Sequence, residues 1–371
     1  MIGVRRNRNK DSPYTAKTPL TRVELHVHLD GSLRHETIYE LALKKGLRLP
    51  GSGSFQDLKN YLVVKTPENL GTFLSRFDII LASIESDLKA LERSAYEAVE
   101  DAANAGVIYF EARFCPHILI PLEVRSEADD EARTKWVYDV TDALIKGLIR
   151  GQADFKSKGN LIATSIRGLP QHWYEDTLTL VADSSFHGGR IVGVDIAALP
   201  DTHDEKSMLE DVAVSFFDRA TKLGIRRTIH AGESGGPSQV TGALDLLHAE
   251  RIGHGYRIVN DPNVYNRIKD EKIHLECCPW SSILTGSIPA SDVPHPIVRF
   301  FEDDFNVSVN TDDPTITGTR MEDEYRLLSN WGLSEAHYVK ATFNAARSCF
   351  LPETEKADLI QDISKTYGFT Q

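Results

Sequence analysis

Residues 22–31 read RVELHVHLDG, a short β-rich run from Arg22 to Leu29 that leads directly into an aspartate and a glycine. An open dinucleotide-binding sheet would normally follow its first strand with a Gly-x-Gly-x-x-Gly turn. This run ends instead in two histidines and an acid. In a closed (β/α)8 barrel, catalytic side chains of these kinds lie at the carboxyl ends of the strands. The stretch therefore favours a barrel over an open sheet.

Seven further β-rich runs follow along the chain, with helix-like segments between them. They are Val107–Phe114, Leu161–Ile166, Ile191–Ala197, Arg226–Ala231, Arg251–His254, Ile273–Cys277 and Val307–Thr311. Alternation of short strands with helices predicts an α/β fold with a parallel sheet and crossover helices. Periodicity alone does not separate a closed barrel from an open doubly wound sheet, and the ending of the first run decides for a (β/α)8 TIM barrel with additional helices.

The chain is long enough for one such barrel, with 371 residues and 41% hydrophobic content. We therefore predict a single catalytic domain over residues 21–371. Residues 1–20 are rich in Arg, Lys and Asn and lack the apolar run of a secretory signal. We expect them to form a flexible tail.

The charge balance is acidic, with 54 Asp and Glu residues against 42 Lys and Arg residues and a net charge of −12. Such a surface repels nucleic acid and suits a small neutral substrate. The cysteines, Cys115, Cys277, Cys278 and Cys349, are scattered and predict no disulfide framework. No apolar stretch approaches the roughly 18 to 20 residues that span a membrane. We expect a soluble, cytoplasmic protein, and the sequence does not reveal whether it has a protein partner.

His26 and His28 are separated by one residue near the end of the first run. In a strand, both imidazoles therefore lie on the same side. Two neutral ring nitrogens on one face can bind one metal ion. The alternative is an ordinary pair of partly buried or surface histidines, which an isolated His-x-His motif does not exclude.

Polar side chains also stand at the ends of later runs. His230 lies near the end of the fifth run and Glu233 follows it, His254 ends the sixth, and Asp312 and Asp313 follow the eighth. Taken singly, these are a helix-start carboxylate, a core histidine or an ordinary turn. In a (β/α)8 barrel, however, the carboxyl ends of all strands converge on one site. The combination therefore predicts an active site.

Three imidazoles and one carboxylate suit a catalytic zinc ion, which keeps a position open for water. Zinc lowers the pKa of that water toward about 7. The ligand candidates are His26, His28, His230 and Asp312. Glu233 and His254 then remain for proton transfer.

Five motifs in order resemble the adenosine deaminase family: HVHLDGS at 26–32, HAGE at 230–233, GHG at 253–255, CPWSS at 278–282 and TDDP at 311–314. The resemblance extends from about Leu20 to Tyr367. It implies an amidohydrolase barrel with one zinc ion per chain, held by the four candidate ligands. It also implies hydrolytic deamination of adenosine and 2′-deoxyadenosine to inosine and 2′-deoxyinosine, with release of ammonia, in purine salvage or catabolism.

The same resemblance implies a role for each further site residue. Glu233 would protonate the purine N1, while His254 would orient and deprotonate the attacking water. Asp313 would hydrogen-bond the purine N7, and Asp30 together with His28 would hold the ribose 5′-hydroxyl.

Two further segments bear on the substrate. Leu70, Phe73 and Phe77 belong to a stretch that resembles the family's mobile apolar lid and would face the site, although such aromatics are more often helix core. After the fourth run the family usually reads Gly-Asp-Glu, whereas this chain reads Ala198-Leu199-Pro200. The backbone N–H of Ala198 can still serve the purine N3, but its methyl group alters the approach of the base.

Four alternatives remain beside this interpretation. A deaminase of N6-methylated AMP or of free adenine is the nearest, and the acid at Asp30 argues against a substrate phosphate. The His-x-Glu and Pro-Cys-x-x-Cys signature of cytidine-type deaminases is missing from the sequence. A secreted, receptor-binding protein would require a signal and paired cysteines. A binuclear amidohydrolase usually requires a lysine after the fourth strand, where this chain has none.

Overall fold

A computed structural model of the chain describes residues 20–125, 130–197, 211–289, 291 and 294–369. Eight parallel β-strands run through these ranges. They are β1 Arg22–His28, β2 Val107–Phe114, β3 Lys158–Ile166, β4 Ile191–Ala197, β5 Thr228–Ala231, β6 Arg251–His254, β7 His274–Cys277 and β8 Val307–Val309. All eight predicted strands are therefore present, and helices separate successive strands.

The strands close into a barrel in sequence order. Strands β1 to β4 form one parallel sheet and β5 to β8 form another. A bridge between Val194 and Arg227 joins the two sheets on one side, and a bridge between Val27 and Asp312 joins them on the other. This closure confirms the predicted (β/α)8 barrel.

Eighteen α-helices surround the barrel in the described residues. They are α1 His35–Lys44, α2 Phe55–Leu62, α3 Leu70–Leu74, α4 Phe77–Ile84, α5 Leu88–Asn104, α6 Pro116–Leu119, α7 Asp130–Asp154, α8 Gln171–Ala182, α9 Ser184–His187, α10 Asp211–Lys222, α11 Pro237–Asp245, α12 Pro262–Asp270, α13 Pro279–Leu284, α14 Pro296–Glu302, α15 Pro314–Thr317, α16 Met321–Asn330, α17 Glu335–Ser348 and α18 Glu353–Thr366. None of these helices combines the length and the apolarity that a membrane span requires.

Five strand boundaries differ from the sequence prediction. Strand β1 ends at His28 rather than at Leu29, β5 begins at Thr228 rather than at Arg226, and β7 begins at His274 rather than at Ile273. Strand β3 begins at Lys158 rather than at Leu161, because the polar residues 158–160 pair in register with β2. Strand β8 ends at Val309 rather than at Thr311, because the Thr311 N–H donates to the side-chain carboxylate of Glu24 over 2.8 Å and not to a backbone carbonyl group. The destination of the backbone hydrogen bonds, which the apolar pattern does not report, sets the boundaries of β3 and β8.

The predicted tail, residues 1–20, lies outside the described residues except for Leu20, which is exposed. The single-domain organisation of residues 21–371 stays a prediction. Val23 and Leu25 of β1 pack against Ala345 of α17 and Ile363 of α18 in a small cluster beside the main core. The last two helices therefore cover the outside of the first strand.

Helices α5 and α7 pack closely through glycines. A methyl group added at Gly147 would lie 2.2 Å from the Glu92 carbonyl oxygen, and one at Gly151 would lie 2.7 Å from Val99 Cβ. Contacts this short force a shift of backbone atoms. The two glycines therefore set the distance between these helices.

We predict that Gly147→Ala lowers the free energy of unfolding by about 1–3 kcal/mol, the usual cost of overpacking. The measurement is urea unfolding. Ile149→Ala serves as a matched control on the same helix, since Ile149 is 49% exposed and its truncation should change stability by less than about 0.5 kcal/mol. Equal effects of the two substitutions would contradict close packing at Gly147.

Candidate active site

The predicted metal ligands come from three strand ends that the barrel brings together. His26 and His28 end β1, His230 lies in β5, and Asp312 follows β8. The Asp312 backbone is bound directly to β1: its N–H donates to the His26 carbonyl oxygen over 3.1 Å, and its carbonyl accepts from the His28 N–H over 2.8 Å. Barrel closure therefore places the carboxylate beside both histidines.

Asp312 adopts a left-handed backbone conformation with φ 64°, and His254 does so with φ 67°. Residues other than glycine rarely occupy this region, and such strain clusters at functional sites. His254 is the last residue of β6, and Asp312 follows β8. The strained backbone therefore occurs at strand ends, at two residues of the candidate site.

One potential ligand atom from each of His26, His28, His230 and Asp312 lies within 4.8 Å of all the others. Asp312 Oδ1 lies 3.2 Å from His26 Nε2 and 3.4 Å from His28 Nε2. The Nε2 atoms of His28 and His230 are 3.2 Å apart. These atoms surround one common point.

The donor set fits a zinc ion. His26 Nε2 is fully buried and has no hydrogen-bond partner among the described residues, a state that is costly unless another group satisfies the atom. Nitrogen and carboxylate ligands in this number are those that zinc prefers. A second grouping joins His26, His254, Cys278 and Asp312. The Cys278 thiol instead donates to the Glu276 carbonyl oxygen over 3.7 Å, and Cys278 does not line the cavity that His254 and Asp312 share.

Burial also favours neutral imidazoles in this cluster. It is the main cause that lowers the pKa of His28 and of His230. His26 differs: burial and, after it, the charge of Arg113 act to lower its pKa, but the nearby carboxylates of Asp312 and Glu276 outweigh both and raise it. A metal ion competes with the proton for the same nitrogen, so binding releases that proton.

Two buried acids orient the ligand histidines, and sequence reasoning missed both. Glu276 Oε2 lies 2.9 Å from His26 Nδ1, and Asp195 Oδ2 lies 2.8 Å from His230 Nδ1. An ionised carboxylate only accepts hydrogen bonds, so it favours a proton on Nδ1 and leaves Nε2 free for metal. A signal was present, since each acid interrupts an apolar β-run.

Glu233 and His254 lie beside the ligand cluster. His254 Nε2 is 3.7 Å from Glu233 Oε2 and 3.9 Å from Asp312 Oδ2. Burial, and after it the charge of Asp312, raises the pKa of Glu233 to about 8. Burial lowers the pKa of His254 well below its ordinary value. At neutral pH the carboxyl group can therefore donate a proton and the imidazole can accept one.

Asp30 and Asp313 form a second polar face. Each has a buried Oδ1 atom without a hydrogen-bond partner among the described residues. Burial raises the pKa of Asp30 to about 6. Burial and the nearby charge of Asp312 raise the pKa of Asp313 well above its ordinary value. Gly31 permits this arrangement, because a Cβ there would lie 1.9 Å from Asp313 Oδ1.

Most of these groups line one cavity of about 190 Å³, and His26 does not: the lining contains His28, His230, Asp312, Glu233, His254, Asp30 and Asp313. The predicted lid residues Leu70, Phe73 and Phe77 line it from α3 and α4. Phe73 is only 1% exposed, so it is a core side chain as well as a wall of the cavity. The lining contains no Lys or Arg side chain among the described residues. Ala198 lies outside the described residues, whereas the preceding Ala197 does line the cavity.

A larger cavity of about 390 Å³ lies elsewhere, between β1, β2 and α5. Its walls include Val27, Phe110 and Ala102 but none of the clustered histidines. The smaller cavity therefore holds the candidate chemistry.

Comparison with known proteins supports the same interpretation. The family model described as adenosine deaminase matches residues 21–366. The adenosine deaminase of Bos taurus is 38% identical over 358 residues, covering 95% of this chain and 97% of that protein. That of Gallus gallus is 35% identical over 352 residues, covering 94% and 95%. A solved adenine deaminase from Arthrobacter aurescens superposes with TM-score 0.79 at 25% identity, covering 95% of this chain and 100% of the other.

We predict that Zn²⁺ at 100 times its dissociation constant stabilises the protein by about 2.7 kcal/mol, and that His230→Ala abolishes most of this gain because a ligand is lost. Thermal unfolding with and without added Zn²⁺ is the measurement. His248→Ala is the control, since His248 is an exposed histidine paired with Asp218. An undiminished gain in the His230 variant would show that zinc binds elsewhere.

Proposed function

The chain belongs to the adenosine deaminase family, and on that premise we propose that it hydrolyses adenosine and 2′-deoxyadenosine to inosine and 2′-deoxyinosine, using one Zn²⁺ per chain. The observation that carries this proposal is the convergence of the ligand cluster, Glu233 and His254 on one cavity. These are the groups that a hydrolytic deamination needs: a cation, a proton donor and a proton acceptor.

His26, His28, His230 and Asp312 would hold the ion. Zinc at this position supplies a Lewis acid that lowers the pKa of water toward about 7. His254 orients the attacking water and accepts its proton. The short separations among His254, Glu233 and Asp312 support this role, because all three can reach a water molecule in the same space.

Glu233 protonates the purine N1 as water attacks C6, and ammonia then leaves. A protonated carboxyl group is required for this step, since the ring nitrogen only accepts a hydrogen bond. The raised pKa of Glu233 supports that protonation state at neutral pH. The same reasoning applies to Asp313 and the purine N7, because burial and the nearby acids raise the pKa of Asp313 as well.

Asp30 and His28 hold the ribose 5′-hydroxyl, and the backbone N–H of Ala198 serves the purine N3. The unpartnered Oδ1 atom of Asp30 supports a polar partner at that end of the cavity.

Nucleosides are preferred over nucleotides and free bases. The cavity lining places Asp30, whose pKa of about 6 leaves it ionised at neutral pH, at the proposed 5′-hydroxyl end without a Lys or Arg side chain among the described residues. A 5′-phosphate would therefore meet a like charge without a cation, which costs several kcal/mol. Free adenine, the substrate named for the Arthrobacter aurescens protein, would leave Asp30 without its partner.

We further propose a cytoplasmic location. All four cysteines are free and buried, which suits a reducing compartment.

We predict that Glu233→Gln lowers the turnover number for adenosine by at least about 100-fold, the scale of a lost general acid, and leaves zinc content unchanged because Glu233 is not a ligand. Ultraviolet absorbance during conversion of adenosine to inosine gives the rate. Glu302→Gln, at an exposed glutamate on α14, is the control. A turnover number near that of the wild type would remove the proposed role of Glu233.

We also predict that Asp30→Ala raises the KM for adenosine by about 10-fold or more, in line with the loss of one hydrogen bond to a charged group. The KM for 5′-deoxyadenosine should rise far less, because that compound lacks the hydroxyl group. Steady-state kinetics with both substrates decide the matter. Equal increases would contradict a contact between Asp30 and the 5′-hydroxyl.

A further inference from the structure

Arg113 lies beneath the ligand cluster, completely buried at the end of β2. Its guanidinium group contacts both acids that orient the ligand histidines. Nε donates to Asp195 Oδ2 over 2.7 Å, and Nη2 donates to Glu276 Oε2. A third donor, Nη1, binds the Leu25 carbonyl oxygen in β1 over 2.7 Å. One side chain thus connects strands β1, β2, β4 and β7.

The oxygen atoms involved are specific. Oε2 of Glu276 accepts from Arg113 and also faces His26 Nδ1 at 2.9 Å. Oδ2 of Asp195 accepts from Arg113 and also lies 2.8 Å from His230 Nδ1. In each acid, the carboxylate oxygen nearest the histidine Nδ1 atom is therefore also the oxygen that accepts a hydrogen bond from Arg113.

We infer that Arg113 is a positioning residue for the metal centre, because it fixes both orienting carboxylates and through them the His26 and His230 rings. This inference rests on the metal site in the proposed function. A guanidinium group offers several donors in a rigid plane and can bind two carboxylates at once. A lysine at the same position has one compact ammonium group and cannot reproduce both contacts.

Arg251 provides a matched comparison in the same network. It is also buried, and its Nε donates to Glu276 over 2.7 Å while Nη1 lies 2.7 Å from Glu111. However, Arg251 binds Glu276 through Oε1, the oxygen that faces away from His26. Loss of Arg251 therefore removes a buried ion pair to the same carboxylate without removing the contact that aligns a candidate ligand.

The test compares Arg113→Lys with Arg251→Lys in the full-length protein. Zn²⁺ affinity is measured by competition with a chromophoric chelator, and the stability of the metal-free proteins is measured by urea unfolding. We expect Arg113→Lys to weaken Zn²⁺ binding by at least about 10-fold, as loss of support for a ligand does. Arg251→Lys should weaken it by less than about 3-fold at a comparable loss of stability.

A spectroscopic measurement separates positioning from general weakening. With Co²⁺ in place of zinc, the visible absorption reports ligand geometry. It should change in Arg113→Lys and remain that of the wild type in Arg251→Lys. If Arg113→Lys does not fold, Asp195→Asn tests the same link from the His230 side, with a similar loss of Zn²⁺ affinity expected.

Unchanged Zn²⁺ affinity and an unchanged Co²⁺ spectrum in Arg113→Lys would overturn the inference, as would equal losses in the two lysine variants. Unchanged affinity in Asp195→Asn would overturn it in the same way. None of these results depends on turnover. A wild-type protein that binds zinc but leaves adenosine intact would instead contradict the proposed function.

Discussion

The closure between β1 and the segment after β8 is the interaction on which the site depends. Two backbone hydrogen bonds connect Asp312 with His26 and His28. They join the first strand to the last and set the carboxylate against two imidazoles in one step. Without closure, the histidines of β1 would face an open edge rather than His230 from the other sheet. The closure that completes the barrel therefore also assembles the candidate metal site, and the strained backbone at Asp312 occurs at this junction.

Barrel closure also brings charged side chains together in the interior, beneath the candidate metal ligands. The network beneath the cluster contains the arginines Arg113 and Arg251 against the acids Glu111, Asp195 and Glu276, all completely or almost completely buried. One negative charge is left over, and Asp312 adds another. Burial of unbalanced charge is costly. A divalent cation would balance these two negative charges. The acids that line the cavity, Glu233 and Asp313, instead have raised pKa values. Protonated carboxyl groups can donate hydrogen bonds to the ring nitrogens of a purine.

Much of this could be predicted from the sequence, and the exceptions have physical causes. The strands can be predicted because each buried parallel strand is a short apolar run. The candidate ligands can be predicted because polar residues end those runs. The early start of β3 was missed because Lys158 and Asn160 are polar, although their backbones pair with β2. Arg113, Asp195 and Glu276 were missed because they lie within strands, where their partners come from distant parts of the chain. Their position inside apolar runs was the available signal.

We propose that one zinc ion and these residues deaminate a nucleoside. Titration of the metal-free protein with Zn²⁺, while ammonia release is followed from adenosine, AMP and adenine in parallel, tests this directly. We expect activity on adenosine to rise in proportion to zinc and to reach a plateau at one ion per chain, with much slower reaction of AMP and adenine. Activity that is independent of zinc, or faster reaction of AMP or adenine, would contradict this proposal.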